Sequence, residues 1–241
     1  MRILITNDDG VYAPGIVPLV EWAKALGEVT VVAPKTEQSG KSHAIEFVKP
    51  FEIKKVDIFE GVETYSCDST PADCVRFGIM GLGKTYDLVL SGINRGVNLG
   101  VDMIYSGTVA AIFEASYWKH RALAVSTYPD NGEEAAKSLD AIYNYIKENN
   151  LFDYNDIFNI NVPHSPKGIL ITKQGSPYFS DGFKALGNDM YLQTGELIPD
   201  EEPEDLSRDT VATERGYISI TPVTLSRLNK DAFFALKAKK L

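Results

Sequence analysis

The sequence predicts an α/β protein with a doubly wound, mostly parallel sheet, and three observations carry that expectation. Residues 2–33 read as strand, helix, strand, the βαβ unit that implies parallel pairing. Short apolar runs then alternate with amphipathic stretches as far as about residue 172. Polar, glycine-rich loops follow several of those runs, beyond the strand ends where an open sheet binds its ligands.

Taken in order, Arg2–Thr6 (RILIT) is a short buried strand, and Gly15–Leu26 (GIVPLVEWAKAL) spaces its apolar residues as a helix does. Val29–Ala33 is the second strand, closed by Pro34, and Phe47–Ile58 reads as an extended pair of β segments. Thr70–Ile79 (TPADCVRFGI) is a helix with Thr70 at the N-cap and Pro71 at the first position, where a missing N–H costs nothing. Asp87–Leu90 is a third core strand, Thr108–His120 a helix, Ala122–Ser126 a strand and Glu133–Glu148 a strongly periodic helix. Phe158–Val162 and Ile169–Thr172 add two more strands.

From about Gly175 the texture changes, as Gly, Asp, Tyr and Pro accumulate. Pro199–Asp205 (PDEEPED) is an acidic, proline-broken loop, Tyr217–Thr221 an alternating strand and Asp231–Lys240 a closing helix. The expected organisation is a core over residues 1–174 and a β-rich C-terminal extension over 175–241 whose β segments project from it. Tyr178, Phe179, Phe183 and Tyr191 read as exposed aromatics on that extension, suited to self-association.

The 241 residues and 44% hydrophobic content support a sizeable core. No run approaches the roughly 18 apolar residues of a membrane span, and Asp8 and Asp9 interrupt the N-terminal apolar run too early for a signal peptide. Two cysteines, Cys67 and Cys74, make no disulfide framework, so a reducing cytoplasm is expected. A net charge of −9 excludes broad contact with a nucleic-acid duplex.

Three loops carry the chemistry. The first, Asn7-Asp8-Asp9-Gly10, is good turn material, yet adjacent carboxylates repel and a plain turn needs only one. The second follows VTVVA and holds Ser39, Gly40 and His43. The third, SGINRGVNLGVDMIYSGT, packs four glycines and two asparagines, Asn94 and Asn98, into 18 residues. Connections that long are uncommon in a compact domain unless they work. Asp8 and Asp9 supply anionic oxygens while Ser39 and Asn94 add neutral ones, an all-oxygen set that suits one Mg²⁺ or Mn²⁺ ion. With three histidines in the chain and the cysteines elsewhere, zinc is disfavoured. Ser106 or Thr108 can cap the helix that follows, and Gly107 allows close approach, so its N-terminus is a candidate phosphate site.

Together, ILITNDDG, APGI, the SG of QSGKSH, TPADCV, SGINRGVNLG, YSGTV and GYISITP resemble, in order, the motifs of the SurE survival-protein family. The resemblance spans most of the chain and implies a Rossmann-like core. It implies a metal-dependent phosphatase of nucleoside 5′- and 3′-monophosphates, often with exopolyphosphatase activity; with Asn7 in place of a nucleophile and Asp8 and Asp9 assigned to the metal, direct attack by metal-oriented water is expected. It further implies a homodimer or homotetramer with exchanged C-terminal segments. Matched by position, the metal ligands fall on Asp8, Asp9, Ser39 and Asn94, with Asp8, Asp9 and Asn94 also catalytic. Asn7, Gly40, His43, Asn98, Ser106, Gly107 and Thr108 are assigned to the substrate, although His43 reads equally well as structural. Two departures, Ser69 before TP and Ala115 where the family has glycine, bear on substrate fit more than on chemistry.

Rival readings diverge at single residues. A haloacid-dehalogenase-type phosphatase attacks phosphorus with an aspartate at the position of Asn7, and a carboxamide is a poor nucleophile. A non-catalytic nucleotide sensor has no need of the aspartate pair. A NAD-binding protein would carry G-x-G-x-x-G in the first βα loop, which this chain lacks.

Overall fold

The computed structural model describes residues 1–239. Its strands are β1 (Arg2–Thr6), β2 (Glu28–Pro34), β3 (Ile53–Val56), β4 (Glu63–Cys67), β5 (Leu88–Arg95), β6 (Ala122–Thr127), β7 (Ile157–Val162), β8 (Ile169–Ile171), β9 (Phe179–Gly187), β10 (Met190–Leu197) and β11 (Ile218–Pro222). Its helices are α1 (Ile16–Lys24), α2 (Pro71–Arg76), α3 (Gly107–Tyr117), α4 (Gly132–Glu148), α5 (Asp209–Glu214) and α6 (Lys230–Ala238). Nine strands form one sheet in the order β3-β4-β2-β1-β5-β6-β7-β11-β8. Pairing is parallel from β4 through β7, whereas β3 is antiparallel to β4 and β11 to β7. This is the mostly parallel, Rossmann-like α/β architecture that the alternating pattern predicts.

The central strands are apolar throughout because both faces of the sheet are covered. In β1, Ile3 and Ile5 point into a core shared with Leu19 of α1 and Ile142 of α4. Leu4 points the other way, onto Val75 of α2 and Ile112 of α3. One strand thus serves two cores, and the fold has three layers.

Several elements depart from expectation. Within Phe47–Ile58 only Ile53–Val56 is a strand, and its partner is the unforeseen β4, ETYSC, too polar for its period to show. α2 begins as predicted, with the Thr70 hydroxyl accepting the Asp73 N–H at 3.2 Å, but turns into one π-helical turn at Phe77–Gly81. β5 runs on to Arg95, so the first five residues of the long loop are strand. α5 was not expected, being only six residues long. β9 and β10 form an antiparallel hairpin outside the main sheet. β11 returns to that sheet and carries the chain after the hairpin back into the core. α6 has no buried residue, and Lys240, at the end of the expected helix, lies outside the described residues. No helix among the described residues is long and apolar enough to cross a membrane.

Candidate active site

β2 and β4 lie on one side of β1, while β5, β6 and β7 continue on the other. The winding direction therefore reverses between β1 and β5, and their carboxyl ends flank a crevice of the kind that binds ligands in doubly wound sheets. A cleft of about 490 Å³ opens there, lined by Asp8, Ser39, Gly40, Asn94, Asn98 and Ser106 among others. Loops distant in sequence meet because their strands are neighbours.

Asn7 is fully buried and holds the turn, accepting the Gly10 N–H at 3.1 Å and donating to the Gly10 carbonyl at 2.8 Å. Asp8, next along the turn, lines the cleft and faces the start of α3. The Thr108 hydroxyl donates to Asp8 Oδ1, and α3 begins directly against the carboxylate. Gly107 has no room for a side chain, since a Cβ would lie 2.9 Å from Asp8 Cβ. The close approach expected of Gly107 is real, but its partner is the carboxylate of this chain. Burial raises Asp8 to about 6; hydrogen bonds from Thr108 oppose the rise and the neighbouring charge of Asp9 adds to it. Asp9 points elsewhere, outside the lining of the cleft, and accepts the Arg95 N–H at 3.2 Å. Its acidity is also weakened by burial, with Glu37 adding to the effect.

Asn94 donates its amide to the Gly96 carbonyl at 2.7 Å, a geometry that leaves Oδ1 as the atom able to face a ligand. The Ser39 hydroxyl donates to Glu37 at 2.7 Å and keeps its lone pairs. Asn98 is pinned by its amide on Ser126 Oγ at 2.7 Å and by Asn159 and Asn161, which donate to its carbonyl at 2.7 and 3.0 Å. Those two β7 asparagines hold Asn98 on the cleft, and sequence reasoning missed them. The available signal was FNINV itself, since amides inside a buried strand need partners.

Ser106 is the N-cap of α3, accepting the Val109 N–H at 3.1 Å, so of the two candidates it is the cap and Thr108 instead serves Asp8. His43 does not line the cleft; its Nε2 lies 2.8 Å from Glu114 Oε2, and the ring faces an adjoining cavity behind Ser106. The opposite wall is formed by the root of the β9–β10 hairpin, through Tyr178, Phe179, Asp181 and Gln193. Asp102 fastens that root by accepting the N–H groups of Tyr178 at 2.7 Å and Phe179 at 2.9 Å. Tyr178, expected to be exposed, is only 5% so, whereas Phe179, Phe183 and Tyr191 are exposed as anticipated.

Among the described residues, no group of three or more His, Cys, Asp or Glu side chains is placed to hold a metal ion. The candidate set is different in kind, being two carboxylates, an amide and a hydroxyl. Its donors are all oxygen, Asn94 Oδ1 is spare, and the Asp8–Asp9 pair carries repulsion that a divalent cation would relieve. Asp8, Ser39 and Asn94, which line the cleft together, fit such an ion by their donor chemistry, whereas Asp9 does not line it.

The family model described as Survival protein SurE matches residues 3–181. A protein named 5′-nucleotidase SurE from Thermosipho africanus (strain TCF52B) is 39% identical over 96% of this chain and 94% of its own length. One of the same name from Thermoanaerobacter sp. (strain X514) is 39% identical over 92% of each. The crystal structure of the SurE protein from Aquifex aeolicus superposes with a TM-score of 0.83 at 33% identity, covering 100% of both chains. With a family model over most of the chain and relatives this similar along its length, the chain belongs to the SurE family.

Proposed function

We propose that this chain is a metal-dependent phosphomonoesterase that hydrolyses nucleoside 5′- and 3′-monophosphates to nucleoside and phosphate. The observation that carries the reading is Asp8, a buried carboxylate at the crevice between β1 and β5 with α3 starting against it. The 5′-nucleotidase name of its relatives supports the phosphatase class, and the oxygen donor set supports the metal.

Asp8, Asp9, Ser39 and Asn94 are the residues that would hold Mg²⁺ or Mn²⁺. Such an ion draws charge from phosphoryl oxygens and promotes ionisation of water at neutral pH. Asn7 stands where a phosphoenzyme would need its nucleophile and is occupied with Gly10, which favours direct attack by water. Ser106 and the first turn of α3 meet the phosphate oxygens with hydrogen bonds and the positive end of the helix dipole. Asp9 acts from the side, with the Arg95 N–H fixing its orientation. Excess EDTA should abolish phosphate release from AMP, with Mn²⁺ or Mg²⁺ restoring it; full turnover after metal analysis finds none bound would overturn the metal role.

The assembly we propose is a homodimer or homotetramer built by exchanging the region after residue 174. Phe183, Leu186, Tyr191 and Leu192 are exposed on the hairpin, and Phe233, Phe234 and Leu236 on α6. A monomeric mass by light scattering at micromolar concentration would refute it. Cys67 and Cys74 are free and buried, which supports a reducing cytoplasm as the site of action.

A further inference from the structure

Between β2 and β3 the chain runs from Lys35 to Glu52 without helix or strand, yet the part that reaches the cleft is fastened on both sides. On the entry side Gln38 donates its backbone N–H to the Asp8 carbonyl at 2.7 Å. On the exit side the Ser42 N–H reaches the Tyr105 carbonyl at 3.0 Å, and its hydroxyl the Ile104 carbonyl at 2.7 Å. The tip between these ties is Ser39, Gly40 and Lys41, of which Ser39 and Gly40 line the cleft. Gly40 and Ser42 take positive φ, +72° and +53°, and the Lys41 N–H closes the turn on the Gln38 carbonyl at 3.2 Å. A serine in the left-handed region is strained and stays there only while its surroundings hold it.

His43 follows directly and adds a side-chain tie. Its Nε2 lies 2.8 Å from Glu114 Oε2, on α3. Glu114 is buried, and its other oxygen is already committed, since Oε1 accepts from Arg76 Nη1 at 2.9 Å and Trp118 Nε1 at 2.8 Å. The carboxylate is thus held from behind with Oε2 presented to His43. Burial pushes this carboxyl up, but the hydrogen bonds from His43 and Trp118, with the charges of His43 and Arg76, outweigh it and leave Glu114 below its usual range. An ionised carboxylate only accepts, so Nε2 of His43 carries the proton between them.

The two halves of the site share α3 as a frame. Its Thr108 holds Asp8, its cap Ser106 lines the cleft, and Glu114 further along the same helix receives His43. Loops from two different strands are thereby referred to one rigid element, which sets a site more closely than loop contacts alone.

We infer that His43 is a positioning residue: through Glu114 it braces the Ser39–Gly40 tip against α3, and so fixes where the Ser39 hydroxyl stands relative to Asp8 for the divalent cation they share. His43 faces the adjoining cavity and not the cleft, so it acts through the loop and not on substrate. The inference deepens the phosphomonoesterase reading and rests on its metal.

The test titrates Mn²⁺ into the metal-free full chain by calorimetry, with no substrate present. His43→Ala should weaken Mn²⁺ about ten-fold, the usual cost of losing a support behind a ligand. His43→Gln, whose amide can reach Glu114, should restore most of that affinity. In a Ser39→Ala background, His43→Ala should cost almost nothing further, because the hydroxyl that it places has gone. Hydrogen exchange at the amides of residues 38–42 in the metal-free protein should quicken in His43→Ala and stay at the parent's rate in His43→Gln. Unchanged Mn²⁺ affinity in His43→Ala, or the same ten-fold loss with and without Ser39, overturns the inference. Should His43→Ala not fold, His43→Asn, with an amide too short for Glu114, is read in the same way. A parent that binds no Mn²⁺ would sink the metal reading instead, and exchange would still judge the brace, since equal rates in the parent and His43→Ala refute it.

Discussion

Asp8 and Asp209 are both buried carboxylates that burial raises to about 6, yet the molecule uses them in opposite ways. Asp209 is sealed and spends its oxygens on backbone, accepting the N–H groups of Gly175 and Thr210 at 2.8 Å and Gly100 at 3.1 Å. It stitches α5 and the approach to the hairpin onto the loop that carries Gly100. Asp8 accepts from Thr108 but also lines the cleft, with a second carboxylate next in sequence. Burial and shifted acidity therefore do not by themselves mark a catalytic group. What separates the two is whether lone pairs remain for something outside the chain.

The largest effect that would sharpen this contrast is on activity. Asp8→Asn keeps the shape and removes the anion, so phosphate release should fall about 10²-fold or more. Its unfolding free energy in urea should match or exceed the parent's, because a buried charge has gone. Strong destabilisation by Asp8→Asn would make Asp8 another Asp209.

Asp209→Ala should show the reverse, losing about 2–4 kcal/mol in urea unfolding because three backbone donors lose their acceptor. Turnover per folded molecule should drop far less than in Asp8→Asn.

Acidity gives a finer test. The folded value for Asp209 lies above its ordinary 3.8, so the folded state binds its proton more readily than the unfolded chain. Its charging cost is present in full above about 6 and is relieved as pH falls towards 3.8. Nearby Asp200 runs the other way. It is buried, but hydrogen bonds from Thr210 and the Glu202 and Ser176 N–H groups, with Arg208 beside it, lower it to about 2. Asp200 therefore stabilises above 3.8 and loses that contribution as pH falls through about 2. Between pH 7 and pH 4 the parent should gain about 1–3 kcal/mol relative to Asp209→Asn in urea. A difference that stays flat with pH would remove the electrostatic half of the comparison.

The smallest effect is Ser106→Ala, which removes a helix cap and should cost about 1 kcal/mol of stability while weakening phosphate binding. Inorganic phosphate inhibiting the variant and the parent equally would confine Ser106 to capping.

Much of this was legible in the sequence because the core strands are short, apolar and bounded by turn residues. RILIT, VTVVA and FNINV announce buried parallel strands, and NDDG at the end of the first one locates the crevice. β4 was not legible, since ETYSC alternates polar residues that only its pairing with β2 and β3 explains. Nor was α5, whose six residues stand on Asp209 rather than on helical periodicity. The placement of His43 depended on Glu114, 71 positions away, and no local pattern links them. The hairpin wall was hidden for the same reason. Its aromatic residues were visible, but which face they shared and what that face enclosed depended on register and on Asp102.

Gly107 carries a consequence for how this protein can change over generations. A side chain there would collide with Asp8 and crowd Pro71, so a mutation at 107 must displace that carboxylate or the start of α3. The exposed face of the hairpin is under no such restraint, since Phe179 and Gln193 stand on a two-stranded ribbon outside the main sheet. Substitutions on the ribbon can thus reshape one wall of the cleft without disturbing the packing around Asp8.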